Sequence, residues 1–365
     1  PAPPPPPGTG TAPGRAADRA GRGRDERPAF PPLAPPPAAW SRAEWVENTF
    51  ETWQQLIRPV VTALTATLGE LLSGQAPGDP AAGMLAPMVR TAAAGMFAAQ
   101  VGQSLGRLSV EVVSSGDIGL PLTPRPAVAL LPANIAKFGE GLNIAESDVL
   151  LFLALRETAR QRLFGAVGWL GPQLLALVEH YARGISIDAS ALEQAIESQL
   201  SGAMTPQEIE QAGQLVAGSL FAPQVTPEQR EVLARLETLL ALVEGWVDEV
   251  VDQATRGRMP AAVQLTETLR RRRAAGGPPE AALKAMGGLG LRPRRTRDAA
   301  HLGAATRAAR GGSERDATWA PPDLIPTAAD LDDPLGFAEH GHQPAAPDDL
   351  DAELARLLDE ESGQG

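Results

Sequence analysis

The sequence predicts a mainly α protein with little β-structure, and three observations carry that expectation. Helix-start signatures recur: Ser41-Arg42-Ala43-Glu44, Thr205-Pro206-Gln207-Glu208 and Thr226-Pro227-Glu228-Gln229 all read as capping boxes, two of them with proline at the first helical position. Apolar residues repeat at helical rather than alternating spacing over long stretches. Aromatic residues make up only 4% of the chain, so the core is built mainly from Ala, Leu and Val.

The chain has 365 residues, and its ends differ from its middle. Residues 1–39 hold 13 of the 35 prolines without a periodic pattern, and Pro3 to Pro7 favour polyproline II. Residues 343–365 carry seven acids and one arginine. These segments read as disordered tails around a single helical domain over residues 40–342, and the chain's 43% hydrophobic content lets that domain bury a core.

A helix is expected over 41–72, with Trp45, Phe50, Trp53, Leu56 and Ile57 on one face and a break or kink at Pro59. Gly74 to Gly83 reads as a loop. A second helix, over 84–113, is rich in small residues that let another helix approach closely. Gly116 to Phe138 is the least helical part, and short strands or an extended edge fit its proline-rich apolar pattern. A helix over 147–164 follows, and its run Val149 to Leu155 is apolar all round, which predicts a central position. Further helices are expected over 172–183 and 227–256, then after Thr205 and Pro260. Beyond Gly276-Gly277-Pro278 the pattern is short helix and loop, with Trp319, Leu324 and Leu335-Gly336-Phe337 as docking residues.

Composition excludes several chemistries. There is no cysteine, so disulfides, thiolate metal sites and cysteine nucleophiles are ruled out. The histidines are His180, His301, His340 and His342. His180 reads as structural or surface, and His340-Gly341-His342 lies at the start of the acidic tail. No 18-residue uncharged apolar run occurs, so no membrane association is expected. No signal-peptide pattern is visible, which leaves a cytoplasmic location as the default. Gly102-Gln103-Ser104-Leu105-Gly106 matches a nucleophile elbow by letter, but it lies in a helical pattern and lacks the preceding strand.

Net charge is −12, unevenly spread. Residues 270–315 contain twelve Lys/Arg against three Asp/Glu. Such a stretch can bind nucleic acid or acidic partners. It lacks interleaved aromatics and any nucleic-acid-binding signature, so a solvated basic surface is the expectation, with no nucleic-acid partner.

The informative charges are Arg156, Glu157 and Arg160, which follow the apolar run of the 147–164 helix. A charge buried there must be paired, because burying it alone costs several kcal/mol. Arg156 and Arg160 share a face, and Glu157 can pair with Arg160. The spacing is that of His-Glu-x-x-His, in which two histidines one turn apart hold zinc and the glutamate polarises a metal-bound water. Both histidine positions here are arginine, which has no lone pair to offer a metal.

Leu153-Ala154-Leu155-Arg156-Glu157-Thr158-Ala159-Arg160-Gln161-Arg162-Leu163-Phe164 resembles the active helix of a bacterial zincin-like family of zinc-dependent metalloproteases or hydrolases, with a degenerate metal motif. Further blocks are similar to the same family, among them Asp117-Ile118-Gly119-Leu120-Pro121, Leu131-Pro132-Ala133-Asn134, Phe138-Gly139-Glu140-Gly141-Leu142, Glu244-Gly245-Trp246-Val247-Asp248, Leu291-Arg292-Pro293-Arg294-Arg295 and Asp333-Pro334-Leu335-Gly336-Phe337. The resemblance spans roughly residues 40–340 and implies a zincin-like multi-helix fold of metallopeptidase ancestry. It implies that Glu157 stands at the catalytic glutamate and that Arg156 and Arg160 stand where two histidine ligands belong. Glu244 is a candidate third ligand, with Glu249 following on the same helix. Zinc is the cofactor of the parent family, and none is expected here.

The functional expectation is a pseudoenzyme that acts by binding, with a protein or peptide as a possible partner. The alternatives are an active metal-dependent hydrolase using carboxylates such as Glu157, Glu244 and Glu249, or a binder of acidic partners through residues 270–315.

Overall fold

The computed structural model describes residues 37–75, 80–184, 226–276, 295–320 and 322–341. The helix expected after Thr205, residues 1–36 of the N-terminal tail, the whole of the C-terminal tail, and the block Leu291 to Arg294 lie outside the described residues.

Helix α1 (Arg42–Gln75) opens on the capping box: Glu44 N–H donates to Ser41 Oγ at 3.1 Å, and Ser41 N–H donates to Glu44 Oε2 at 2.7 Å. The helix runs through Pro59 without ending. One missing N–H removes a single intrahelical bond, and the buried Trp53, Leu56, Ile57 and Val60 keep the turns packed on both sides of it. Helix α2 (Pro80–Glu111) pairs with α1, and of the loop expected over 74–83 residues 74–75 and 80–83 are helical while 76–79 lie outside the described residues. Gly102 to Gly106 lies in the interior of α2, with no strand before it.

The segment after α2 is largely non-helical, as its prolines predict, but it contains two elements. Strand β1 (Ala38–Ala39) pairs in parallel with β2 (Ala129–Leu130). The tail reading of residues 1–39 therefore overruns by these last residues, which the ladder holds. Helix α3 (Pro132–Gly139) falls where strands or an extended edge were expected, with Pro132 at its first turn, where a missing N–H costs nothing.

Helices α4 (Glu146–Ala166), α5 (Leu170–Arg183) and α6 (Pro227–Thr255) follow. Helix α6 begins on its capping box: Gln229 N–H donates to Thr226 Oγ1, and Thr226 N–H donates to Gln229 Oε1, both at 3.1 Å. Beyond it come α7 (Ala262–Ala274), α8 (Thr296–Arg310), α9 (Gly312–Ala317), α10 (Ala328–Asp332) and α11 (Pro334–His340).

Helix α6 is the axis of the body. Every residue from Leu239 to Glu249 is buried, because α4, α5 and α8 pack around it. Helix α1 packs on α5, and α11 covers α8. Central position on α4 is shared unevenly. Val149, Phe152 and Leu153 are buried, whereas Leu150 and Leu151 are 43% and 52% exposed, so its apolar run does not predict burial all round. Trp319 and Phe337 dock as expected, while Leu324 and Leu335 face solvent.

The α6–α8 contact depends on Gly245. A Cβ there would lie 2.5 Å from the Ala299 Cβ and 2.6 Å from the Ala300 backbone nitrogen. Backbone cannot give way as a flexible side chain can, so Gly245→Ala has to push the helices apart. We expect a loss of about 1–3 kcal/mol in chemical denaturation. A neutral result would show that α8 is not seated as described.

Candidate functional site

The α4–α6 seam holds a buried ionic network. Arg156, Glu157 and Arg160 of α4 are each no more than 2% exposed, and Glu244 of α6 is 3% exposed. Arg160 donates to Glu244 Oε1 from Nε at 2.9 Å and from Nη2 at 2.8 Å. Its Nη1 donates to Glu157 Oε2 at 2.5 Å. Arg156 donates from Nη2 to Glu244 Oε2 at 2.9 Å and from Nη1 to Asp248 Oδ1. Its guanidinium also lies over the Phe152 ring one turn back, 5.9 Å from the centroid.

Glu157 is sealed on every side. Oε1 accepts from Ser115 Oγ at 2.7 Å, Gly116 N–H at 3.0 Å and Gln161 Nε2 at 2.6 Å, and Oε2 accepts from Ser114 Oγ at 2.7 Å as well as from Arg160. These donors arrive because the segment after α2 runs directly against α4. Gly116 makes that approach possible, since a Cβ there would sit 2.9 Å from both Glu157 Oε1 and Arg160 Cδ.

Helix α7 closes the network with the run Arg270 to Arg273. Arg270 reaches Asp248 Oδ2 from Nη2 at 3.0 Å, and Arg273 pairs with Glu244 Oε2 at 2.6 Å. Arg272 reaches Asp117 Oδ2 at 3.2 Å, an oxygen that also accepts from Val113 N–H at 3.0 Å. Only Arg271 of the four turns outward, to Glu267.

The electrostatics follow from these pairings. Burial alone would raise the Glu244 carboxyl, but Arg160, Arg273 and Arg156 outweigh it and hold it down at about 2. Burial alone would weaken the protonated form of Arg160, yet Glu244, Glu157 and Asp117 hold its proton more tightly than usual.

Glu244 is thus brought to Arg156 and Arg160, and Glu249 is not. Five residues along a helix is a rotation of about 140° from Glu244. That turns Glu249 toward α8, where it accepts from Arg307 Nε at 2.6 Å and from Gln253 Nε2 at 2.8 Å. Asp248, one turn after Glu244 and on the same face, is the member that sequence reasoning missed, although its spacing was available. Ser114, Ser115 and the inward guanidiniums of α7 were also missed, because only the tertiary fold sets them against α4. His180 meets Glu228 at the surface, and His340 lies at the end of α11.

The sequence profile of the zincin-like metallopeptidase family matches residues 7–338. The chain belongs to this family. No curated protein matches the chain. Among solved structures, the chain is similar to a candidate hydrolase with a novel fold from Chloroflexus aurantiacus, at 19% identity and a TM-score of 0.55, covering 83% of this chain and 79% of that one. That likeness is one of fold. In the zincin-like body of this chain, no helix among the described residues is long and apolar enough to cross a membrane.

The zincin metal does not fit the side chains at this site. A zinc centre needs imidazole, thiolate or carboxylate lone pairs. Arg156 and Arg160 have none to give, and the oxygens of Glu157 and Glu244 already accept from guanidinium, hydroxyl and amide donors. Among the described residues no group of three or more His, Asp or Glu side chains is arranged to hold a metal ion.

Two expectations follow. In chemical denaturation, Arg160→Met and Glu244→Gln should each cost ~3–5 kcal/mol, because each leaves a buried partner uncompensated. The double variant should cost less than the sum by about 1–3 kcal/mol, and additive single losses below ~0.5 kcal/mol would refute the pairing. The second concerns acid. The Glu244 carboxyl titrates lower when folded than its ordinary value of 4.5, so its contribution is complete above that value and is lost as pH falls toward about 2. Stability measured between pH 5 and 2 should therefore fall less steeply in Glu244→Gln than in the parent chain.

Proposed function

We propose that the chain is a zincin-like pseudoenzyme, a non-catalytic scaffold that acts by binding a protein or peptide partner. The observation that carries this reading is that Arg156 and Arg160, which the resemblance sets at the two histidine positions, are both committed to Glu244. The state of Glu157 supports it. A carboxylate offers about four lone-pair sites, and Glu157 accepts five hydrogen bonds while fully buried. It has no free site with which to polarise a water. In this reading Glu157 is the remnant of the catalytic glutamate, and its present work is to hold α4 against the segment 114–116.

The basic run of α7 supports a protein partner over a nucleic acid. Three of its four guanidiniums are spent on carboxylates of the network, so they present no row of charge to a phosphate backbone. With no cofactor in the scheme, the chain needs no metal-loading step, and a cytoplasmic setting is compatible with it.

Metal analysis of the purified chain tests the proposal. We expect well below one zinc per chain, a melting temperature unchanged by chelator, and no hydrolysis of peptide substrates with added zinc. Folding energy is not coupled to metal binding when no ligand set exists. Stoichiometric zinc that survives dialysis, together with chelator-sensitive peptidase activity, would overturn the reading in favour of a hydrolase using carboxylate ligands.

A further inference from the structure

The network is not charge-neutral. Among the described residues it joins five guanidiniums, those of Arg156, Arg160, Arg270, Arg272 and Arg273, to four carboxylates, those of Asp117, Glu157, Glu244 and Asp248. Arg270 and Arg272 reach solvent, and of the three more buried guanidiniums Arg273 has an unmatched donor. Arg273 Nη1 is buried and has no hydrogen-bond partner, although the Arg273 side chain is nine-tenths buried and its Nη2 is paired with Glu244. A buried cationic N–H without an acceptor is costly. Burial also makes the Arg273 proton easier to lose than usual, and the neighbouring Arg156 and Arg160 add to that against the pull of Glu244.

The position of Arg273 in the network also matters. Side-chain exposure rises from 2–3% at Arg160 and Arg156 through 10% at Arg273 to 22% at Arg272 and 30% at Arg270. Arg273 therefore stands between the sealed seam and the solvent-facing arginines of α7.

We propose that the Arg273 end of this network is a binding site for a carboxylate. A planar guanidinium with one unused N–H matches a carboxylate oxygen, and one negative charge brings the network to neutrality. The proposal rests on the pseudoenzyme reading: where the parent family holds a cation, this chain takes an anion. It gives that reading a ligand chemistry, supplied either by a free small acid or by the C-terminal carboxylate of a peptide partner.

Thermal shift on the full chain tests this with millimolar sodium acetate, with sodium fluoride at equal ionic strength, with acetamide, and with a tripeptide in free-acid and C-terminally amidated forms. We expect acetate to raise the melting temperature saturably, by about 2–4 °C at several times its Kd, while fluoride and acetamide do not. A response to the free-acid peptide at lower concentration than to acetate, absent for the amide, supports a peptide source. A response to acetate alone supports a free anion. Arg273→Met should abolish the response, and Arg271→Met should keep it. Should Arg273→Met fail to fold, broadening of the ³⁵Cl resonance by the parent chain and its reversal by acetate reads the same site. No saturable response beyond fluoride and no reversible broadening, or an equal response in a folded Arg273→Met, overturns the proposal. Zinc is measured on the same sample. A zinc-free chain with no anion response sinks this inference alone, whereas a zinc-loaded chain with chelator-sensitive peptidase activity sinks the pseudoenzyme reading beneath it.

Discussion

The carboxylate of Glu244 is the point on which the α4–α6 seam turns. It sits at the middle of the most buried helix and receives Arg160, Arg156 and Arg273 from two other helices. A carboxylate in that position without partners would protonate or open the fold, since desolvation alone costs several kcal/mol. With three guanidiniums around it the carboxyl stays ionised, and each guanidinium is then fixed by a second acceptor or by the packing of its own helix. Asp248 takes the other arm of Arg156, Glu157 takes the other arm of Arg160, and Ser114, Ser115 and Gly116 hold Glu157. One charge at the centre thus sets the positions of α4, α7 and the non-helical segment after α2.

Much of this was legible in the sequence, and the reasons are local. The capping boxes at Ser41 and Thr226 mark helix starts because the reciprocal bonds need only residues within one turn. The placement of Arg156, Glu157 and Arg160 after an apolar run indicated buried charge, since such charges cannot stay unpaired. Helix α3 was not legible because a proline-opened helix of eight residues looks like an extended, proline-rich edge until its first-turn geometry is known. The inward course of Arg270, Arg272 and Arg273 was also hidden. A run of four arginines reads as solvated surface, and only the packing of α7 over the acidic end of the seam turns three of them inward. Glu249 shows the converse. Its neighbour relation to Glu244 in sequence says nothing of face, and helical rotation carries it to α8.

The exchange of metal for guanidinium that the proposed pseudoenzyme reading implies has a structural logic. A zinc ion brings two positive charges to a point and fixes ligands at about 2.0–2.2 Å. Arg156 and Arg160 bring the same total charge on two planar forks, whose donors meet the Glu244 oxygens at 2.8–2.9 Å. Attraction between the helices survives, but the open coordination position does not, because a guanidinium has no vacant orbital to polarise a water. In the proposed reading, the structural and catalytic roles that one metal ion would combine are separated, and the guanidiniums serve the structural one.

An apolar seam would hold α4 to α6 as firmly, since buried ion pairs often give no net stability over hydrophobic residues of similar volume. The two differ in what they forbid. Leucines and alanines tolerate a slide of one helix past another by a turn, because any apolar surface meets any other. The forks at Arg156 and Arg160 do not, because they stand one turn apart and converge on a single carboxylate. Sliding α6 by one turn, about 5.4 Å, would draw Glu244 away from one guanidinium and leave the shorter Asp248 to face it at the wrong angle. Each charge so stranded costs several kcal/mol, which exceeds what an apolar slide would cost. The network therefore selects one register of the seam, and with it the single placement of Arg273 on Glu244.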